Sequence, residues 1–155
     1  MTQQFSARLC KDKLWEEGYS LKSLLNATHL QQVYEEFSKL LGITVELVAF
    51  PDLDILVAVP WQAVCEKFHR AWPASAIVCN QSNQQFIAPW GETEEIRVIE
   101  CGLGLSDALA AVRIEGKLLG AVVIGQVFLE TPDLSRFQEQ ATLYGYDAEE
   151  YLSAI

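Results

Sequence analysis

Two apolar runs, Ala108–Ile114 and Lys117–Leu129, are separated only by Glu115-Gly116. A two-residue link between strand-like segments leaves the chain no room to cross over, and Gly116 tolerates the positive φ of a tight hairpin. The two runs are therefore expected to pair antiparallel, which commits the chain to a sheet with a face to cover. The same reading gives a second hairpin, from Ile43–Phe50 through the turn residues Pro51–Asp54 to Ile55–Val59, and a further strand at Ile96–Ile99.

Between and around these strands the apolar spacing becomes helical. Leu30, Val33, Tyr34, Phe37, Leu40 and Leu41 recur at helical intervals, with Asn26 or Thr28 as N-cap and Gly42 just past the end. Pro60 and Pro73 bound an expected helix with Trp61, Cys65, Phe68, His69 and Trp72 on one side. Cys79–Ala88 reads as a short helix before the turn at Pro89–Gly91. Thr131-Pro132-Asp133 opens another, ended by Gly145, and Asp147 with Glu150 caps the last. The order of elements predicts an α+β fold with helices packed on an antiparallel sheet of about five strands.

With 155 residues, half of them apolar, the chain suits one ordered domain. Its longest apolar run, Leu118 to Gly125, falls well short of the ~20 residues of a membrane helix. The N-terminus MTQQFSARLCKDK has no apolar segment that would mark export, so a cytoplasmic address and reduced cysteines are expected. Eleven basic against 21 acidic residues give a net charge of −10, which repels nucleic acid and anionic lipid, and the basic residues form no cluster. Gly102 and Gly104 complete neither a GxGxxG nor a GxxxxGK[ST] pattern, which excludes a nucleotide loop of either type.

Cys65 and His69, four residues apart, project from one helical face, and Cys79 and Cys101 follow after gaps of 14 and 22 residues. Three sulfurs and one imidazole would suit zinc, and the cysteines alone an iron–sulfur centre. Unpaired cysteines are equally at home as small buried hydrophobes. The long gaps mean that any metal site here needs a fold to assemble it first. Catalysis by a Cys–His pair is disfavoured because Cys65 is expected inside a helix rather than at its start, where a thiolate would be stabilised. Asp107 and Gln126, polar groups beside apolar strands, need hydrogen-bond partners if buried. They would serve as structural caps or as groups orienting a hydroxylated ligand.

From Trp61 to Asp133 the chain carries W-Q-x-x-C-x-x-F-H-R, then C-x-x-S, then C-x-x-G-L-x-D, then G-Q-x-F-x-x-x-P-D. In order and content these motifs resemble the PocR sensory domain, and the likeness covers about four fifths of the chain. Trp61, Cys65, Phe68 and His69 match the first motif, Cys79 and Ser82 the second, Cys101, Gly104, Leu105 and Asp107 the third, and Gly125 and Gln126 the fourth. The chain departs from the pattern in ALAAVRI, where a proline often precedes the strand, and in PDLDI, which lacks a glycine common at that turn.

The resemblance implies a PAS-like, non-enzymatic sensing module that binds a small hydrocarbon derivative such as a short diol. It implies an output domain or partner protein, such as a histidine kinase, outside this chain, and a possible homodimer. Residues 1–155 would form one such domain, with 1–25 as an N-terminal extension. The expected ligand contacts are Trp61, Cys65, Phe68, His69, Gly104, Asp107 and Gln126. The alternative is a metal-dependent or iron–sulfur redox sensor on Cys65, His69, Cys79 and Cys101.

Overall fold

The computed structural model describes residues 20–155. Residues 1–19, with most of the expected N-terminal extension, Cys10, Lys11 and Lys13, lie outside the described residues. Ser20 and Ser23 form a capping box that opens a one-turn helix, α1 (Leu21–Leu24), for which periodicity gave no sign. Helix α2 (Ala27–Leu41) begins where Asn26 accepts the His29 N–H, and it ends where left-handed Gly42 donates to the Ser38 carbonyl.

Strands β1 (Thr44–Ala49), β2 (Asp54–Ala58), β3 (Ile96–Glu100), β4 (Ser106–Ile114) and β5 (Lys117–Val127) form one antiparallel sheet in the order β2-β1-β5-β4-β3. This is the α+β, PAS-like arrangement expected. The β4–β5 hairpin turns at Glu115 and Gly116, both at positive φ, and places β5 between β4 and β1. One face of the sheet packs Leu47, Val57 and Leu119 against Leu21, Leu30 and Tyr34 of α1 and α2. The other buries Val48, Leu109, Ala121 and Val123 under Phe86. Arg97 holds the covering segment down by donating to the carbonyls of Ala88 and Pro89 and stacking on Trp90.

The expected Pro60–Pro73 helix is corrected. Only Ala63 and Val64 are α-helical, and Cys65–His69 forms a π-turn, closed by the Arg70 N–H on the Cys65 carbonyl at 3.0 Å. Pro73 does not stop this helix but starts the next. Trp72 is extended, as a residue before proline prefers, and Pro73 takes the first position of α3 (Pro73–Asn83), where its missing N–H costs nothing. Cys79 is therefore well inside a helix that begins six residues earlier than expected, followed by a 3-10 turn at Gln84–Ile87.

Helices α4 (Leu134–Tyr144), capped by Asp133 and Gly145, and α5 (Ala148–Ser153), capped by Asp147, complete the chain. The π-turn packs mainly on these two helices rather than on the sheet. Val64, Cys65 and Phe68 share a core with Phe137, Ala141, Tyr146 and Tyr151, and Phe68 meets Tyr146 and Tyr151 edge-on at 5.3 and 5.0 Å.

Candidate functional site

The pleat of the sheet decides which polar groups face inward. Thr44, Gly125 and Asp107 are ladder partners, as are Glu46, Val123 and Leu109 on the next rung. Leu109 and Val123 belong to the core beneath Phe86, so strand alternation turns Glu46 and Asp107 to that same side.

Asp107 explains the Gly125-Gln126 dipeptide. Ser106 pairs with Val127 and Asp107 with Gly125, leaving Gln126 as the extra residue of a β-bulge at φ 60°. A glycine is the usual occupant of such a conformation, and a side chain there carries strain of ~1–3 kcal/mol. The compensation is visible. Asp107 Oδ1 accepts the Gln126 N–H at 3.0 Å, and Gln126 Oε1 accepts the Gln62 N–H at 2.8 Å, so the bulge is tied to the entry of the π-turn. A Cβ at Gly125 would lie 1.9 Å from Asp107 Oδ1, so that position has room only for glycine. Burial pushes the Asp107 carboxyl pKa up, partly offset by the Gln126 N–H.

His69, 1% exposed, is held in a buried polar chain. Gln140 Nε2 donates to the Leu103 carbonyl, which turns its Oε1 towards Tyr151. The Tyr151 hydroxyl donates to that oxygen at 2.8 Å and is left to accept from His69 Nε2 at 2.7 Å. The imidazole is thus the neutral Nε2–H tautomer, and burial pushes its pKa down to about 4.

The cysteines sit on three elements. Burial pushes the Cys65 thiol up to about 12 and raises Cys79 as well. In the metal-free protein such thiols are held protonated, which disfavours them as nucleophiles. Cys101 Sγ accepts the Leu105 N–H at 3.4 Å within the β3–β4 turn. Among the described residues no group of three or more His, Cys, Asp and Glu side chains is arranged to hold a metal ion. Of the expected set Cys65, His69, Cys79 and Cys101, His69 is engaged by Tyr151. Ser82 of the CxxS motif accepts the Gly102 N–H at 2.9 Å, and a Cβ on Gly102 would press on Val78 at 2.6 Å. The second and third motifs thus describe a close approach of α3 to the β3–β4 turn. Gly104, at φ 98°, faces Arg136 and Phe137 on the far side of that turn.

Of the expected ligand residues, Trp61 lies against Glu46 and Arg70, while Phe68 packs on Tyr146, whose buried hydroxyl, like Arg70 Nε, has no hydrogen-bond partner among the described residues. The Trp61 indole N–H donates to Glu46, a side chain only 6% exposed. The Arg70 guanidinium stacks on the Trp61 ring 3.7 Å from the centroid. Among the described residues the buried Arg70 Nε–H has no hydrogen-bond partner. Glu46 and Arg70 line a pocket of about 40 Å³ with Val48, Leu53, Ile55, Asn83 and Phe86. Ile55, 47% exposed, brings one side of it to the surface. Sequence reasoning missed Glu46 and Arg70. A glutamate set among the apolar residues of TVELV was the available signal, since an acidic side chain on the inward register of a strand needs a reason to be there.

No helix among the described residues is long and apolar enough to cross a membrane. The family model described as "Sensory domain found in PocR" matches residues 23–155. No curated protein and no solved structure matches the chain.

Proposed function

This chain belongs to the PocR sensory-domain family, and on that premise we propose that it senses a small, largely apolar, hydroxylated molecule bound against Glu46 and Arg70, the two groups that Trp61 holds from outside the pocket. The observation that carries this reading is the buried Arg70 Nε–H without a partner, beside a carboxyl group that has one oxygen engaged by Trp61. A carboxylate offers about four acceptor positions, so Glu46 retains capacity for a hydroxyl donor. A hydroxyl can donate to Glu46 while accepting from Arg70, and Val48, Leu53 and Phe86 supply apolar contact for a short carbon chain.

At ~10–15 Å³ per water-sized group, about 40 Å³ accommodates about three such groups before any side chain moves. A two-carbon diol exceeds that by one heavy atom and a three-carbon diol by two, so either enters only with a small outward movement at the exposed Ile55 side, and larger ligands are disfavoured. In this reading His69, Asp107 and Gln126 frame the site, since their hydrogen bonds already join parts of the scaffold. The bound state is passed to an output module through the C-terminal helices.

Titration with ethane-1,2-diol, propane-1,2-diol, propan-1-ol and acetone, followed by thermal shift and calorimetry, tests this. A diol should raise the melting temperature by mass action. Glu46→Gln and Arg70→Met should each weaken it about 10- to 100-fold, as expected for a hydrogen bond to a charged group. Equal response of wild type and both variants to every compound, or no response at all, would refute the assignment.

A further inference from the structure

The π-turn with its cap Arg70 touches both the Arg70 pocket and the C-terminal helices, and it does so through consecutive residues. His69 reaches α5 through Tyr151, which is 0% exposed, and through it α4 at Gln140 and the β3–β4 turn at Leu103. Arg70 reaches the pocket and Trp61, and through that indole Glu46 on β1. The opposite end is anchored independently. The Gln62 N–H bonds Gln126 of the bulge, and the Gln62 side chain donates to the Gly42 carbonyl at the end of α2 at 3.1 Å.

We propose that this π-turn is a two-state coupler, which converts a change at the Glu46–Trp61–Arg70 cluster into making or breaking the His69–Tyr151 bond on the C-terminal helices. A π-turn closes its hydrogen bond over five residues instead of four. Relaxing it to an α-turn therefore shifts the register of the following residues by one position, a rotation of about 100°. Because the start is fixed at Gln62, that rotation falls on His69 and Arg70. The two cannot both keep their present partners in the α register, so pulling on Arg70 biases the contact made by His69. Discrete packings of this kind turn a small local change into a large one. Lys67 and Glu66 are exposed and place no obstacle in the way of the change.

The coupling rests on the proposed ligand site only for its physiological trigger, and it is testable without ligand. Trp61→Phe keeps a ring beneath Arg70 but removes the bond to Glu46. Hydrogen exchange of the amides of α5 should then speed up about fivefold or more, the lower end of usual couplings between sites. In a Tyr151→Phe background, and equally in His69→Leu, the added effect of Trp61→Phe should fall below about twofold, because the link is already cut. An unchanged α5 in Trp61→Phe, or the same acceleration in all backgrounds, would overturn the coupler. Loss of diol binding with this pattern intact would overturn the ligand reading alone.

Discussion

Replacing Gly125 with alanine tests the bulge that ties the sheet to the π-turn. The new Cβ would stand 1.9 Å from Asp107 Oδ1 and 2.7 Å from its Cγ, so the carboxyl group must rotate away. Overfilling a packed site costs ~1–3 kcal/mol, and leaving the Gln126 N–H without its 3.0 Å acceptor adds ~1–3 kcal/mol. A loss of about 4 kcal/mol corresponds to a melting shift of about 8–16 °C for a chain of this length. Asp107→Ala by itself should cost less, because burial already disfavours that carboxyl group in its charged form. In the Asp107→Ala background the carboxyl obstacle is gone but the Asp107 Cα still stands 2.8 Å from the new Cβ, so Gly125→Ala should cost less than in the parent protein without becoming neutral. Urea unfolding of the four proteins at pH 7, followed by circular dichroism and tryptophan fluorescence, supplies the cycle. Equal cost of Gly125→Ala with and without Asp107 would show that the steric argument is wrong.

Gln126→Leu should destabilise the fold by ~1–3 kcal/mol through the orphaned Gln62 N–H, which urea midpoints would record. His69 has its pKa depressed to about 4, so the unfolded chain binds its proton first. The stability it confers is complete above pH ~6.5 and is lost as pH falls towards 4, by about 2–3 kcal/mol at pH 4.5. His69→Gln should lack that part of the acid dependence, measured as the difference between the two proteins' urea midpoints from pH 7.5 to 4.5. Cys65, raised to about 12, should resist iodoacetamide in the native protein up to pH 9 and react on unfolding. Mass spectrometry of the alkylated peptides reads this directly, and rapid native modification of Cys65 would contradict its assignment.

Local chemistry carried much of the fold. The Glu115-Gly116 link, the Asn26 and Gly42 caps and the Asp133, Gly145 and Asp147 punctuation needed no distant partner, and each marks a boundary seen in the structure. Pro73 was misread for a physical reason. A proline ends one helix and starts another with equal ease, and whether the residues before it are helical depends on the π-turn's packing against Tyr146 and Tyr151, about eighty positions away.

The ordered motifs determined the family, since their residues mark positions where the structure tolerates little else: Gly125 beneath Asp107, Gly102 against Val78, and Ser82 of α3 accepting the Gly102 N–H of the β3–β4 turn. What those residues do was decided only in three dimensions. A histidine, an aspartate and a glutamine read as ligand groups are satisfied by Tyr151, the Gln126 amide and the Gln62 amide. Arg70, whose buried Nε–H is left without a partner, carries no local mark that separates it from an ordinary helix-end arginine, and Glu46 is marked only by its place among the apolar residues of a strand. Hydrogen bonding and burial belong to neighbours brought together by the sheet, so a side chain's spare capacity to bind emerges only once every nearby partner has been placed.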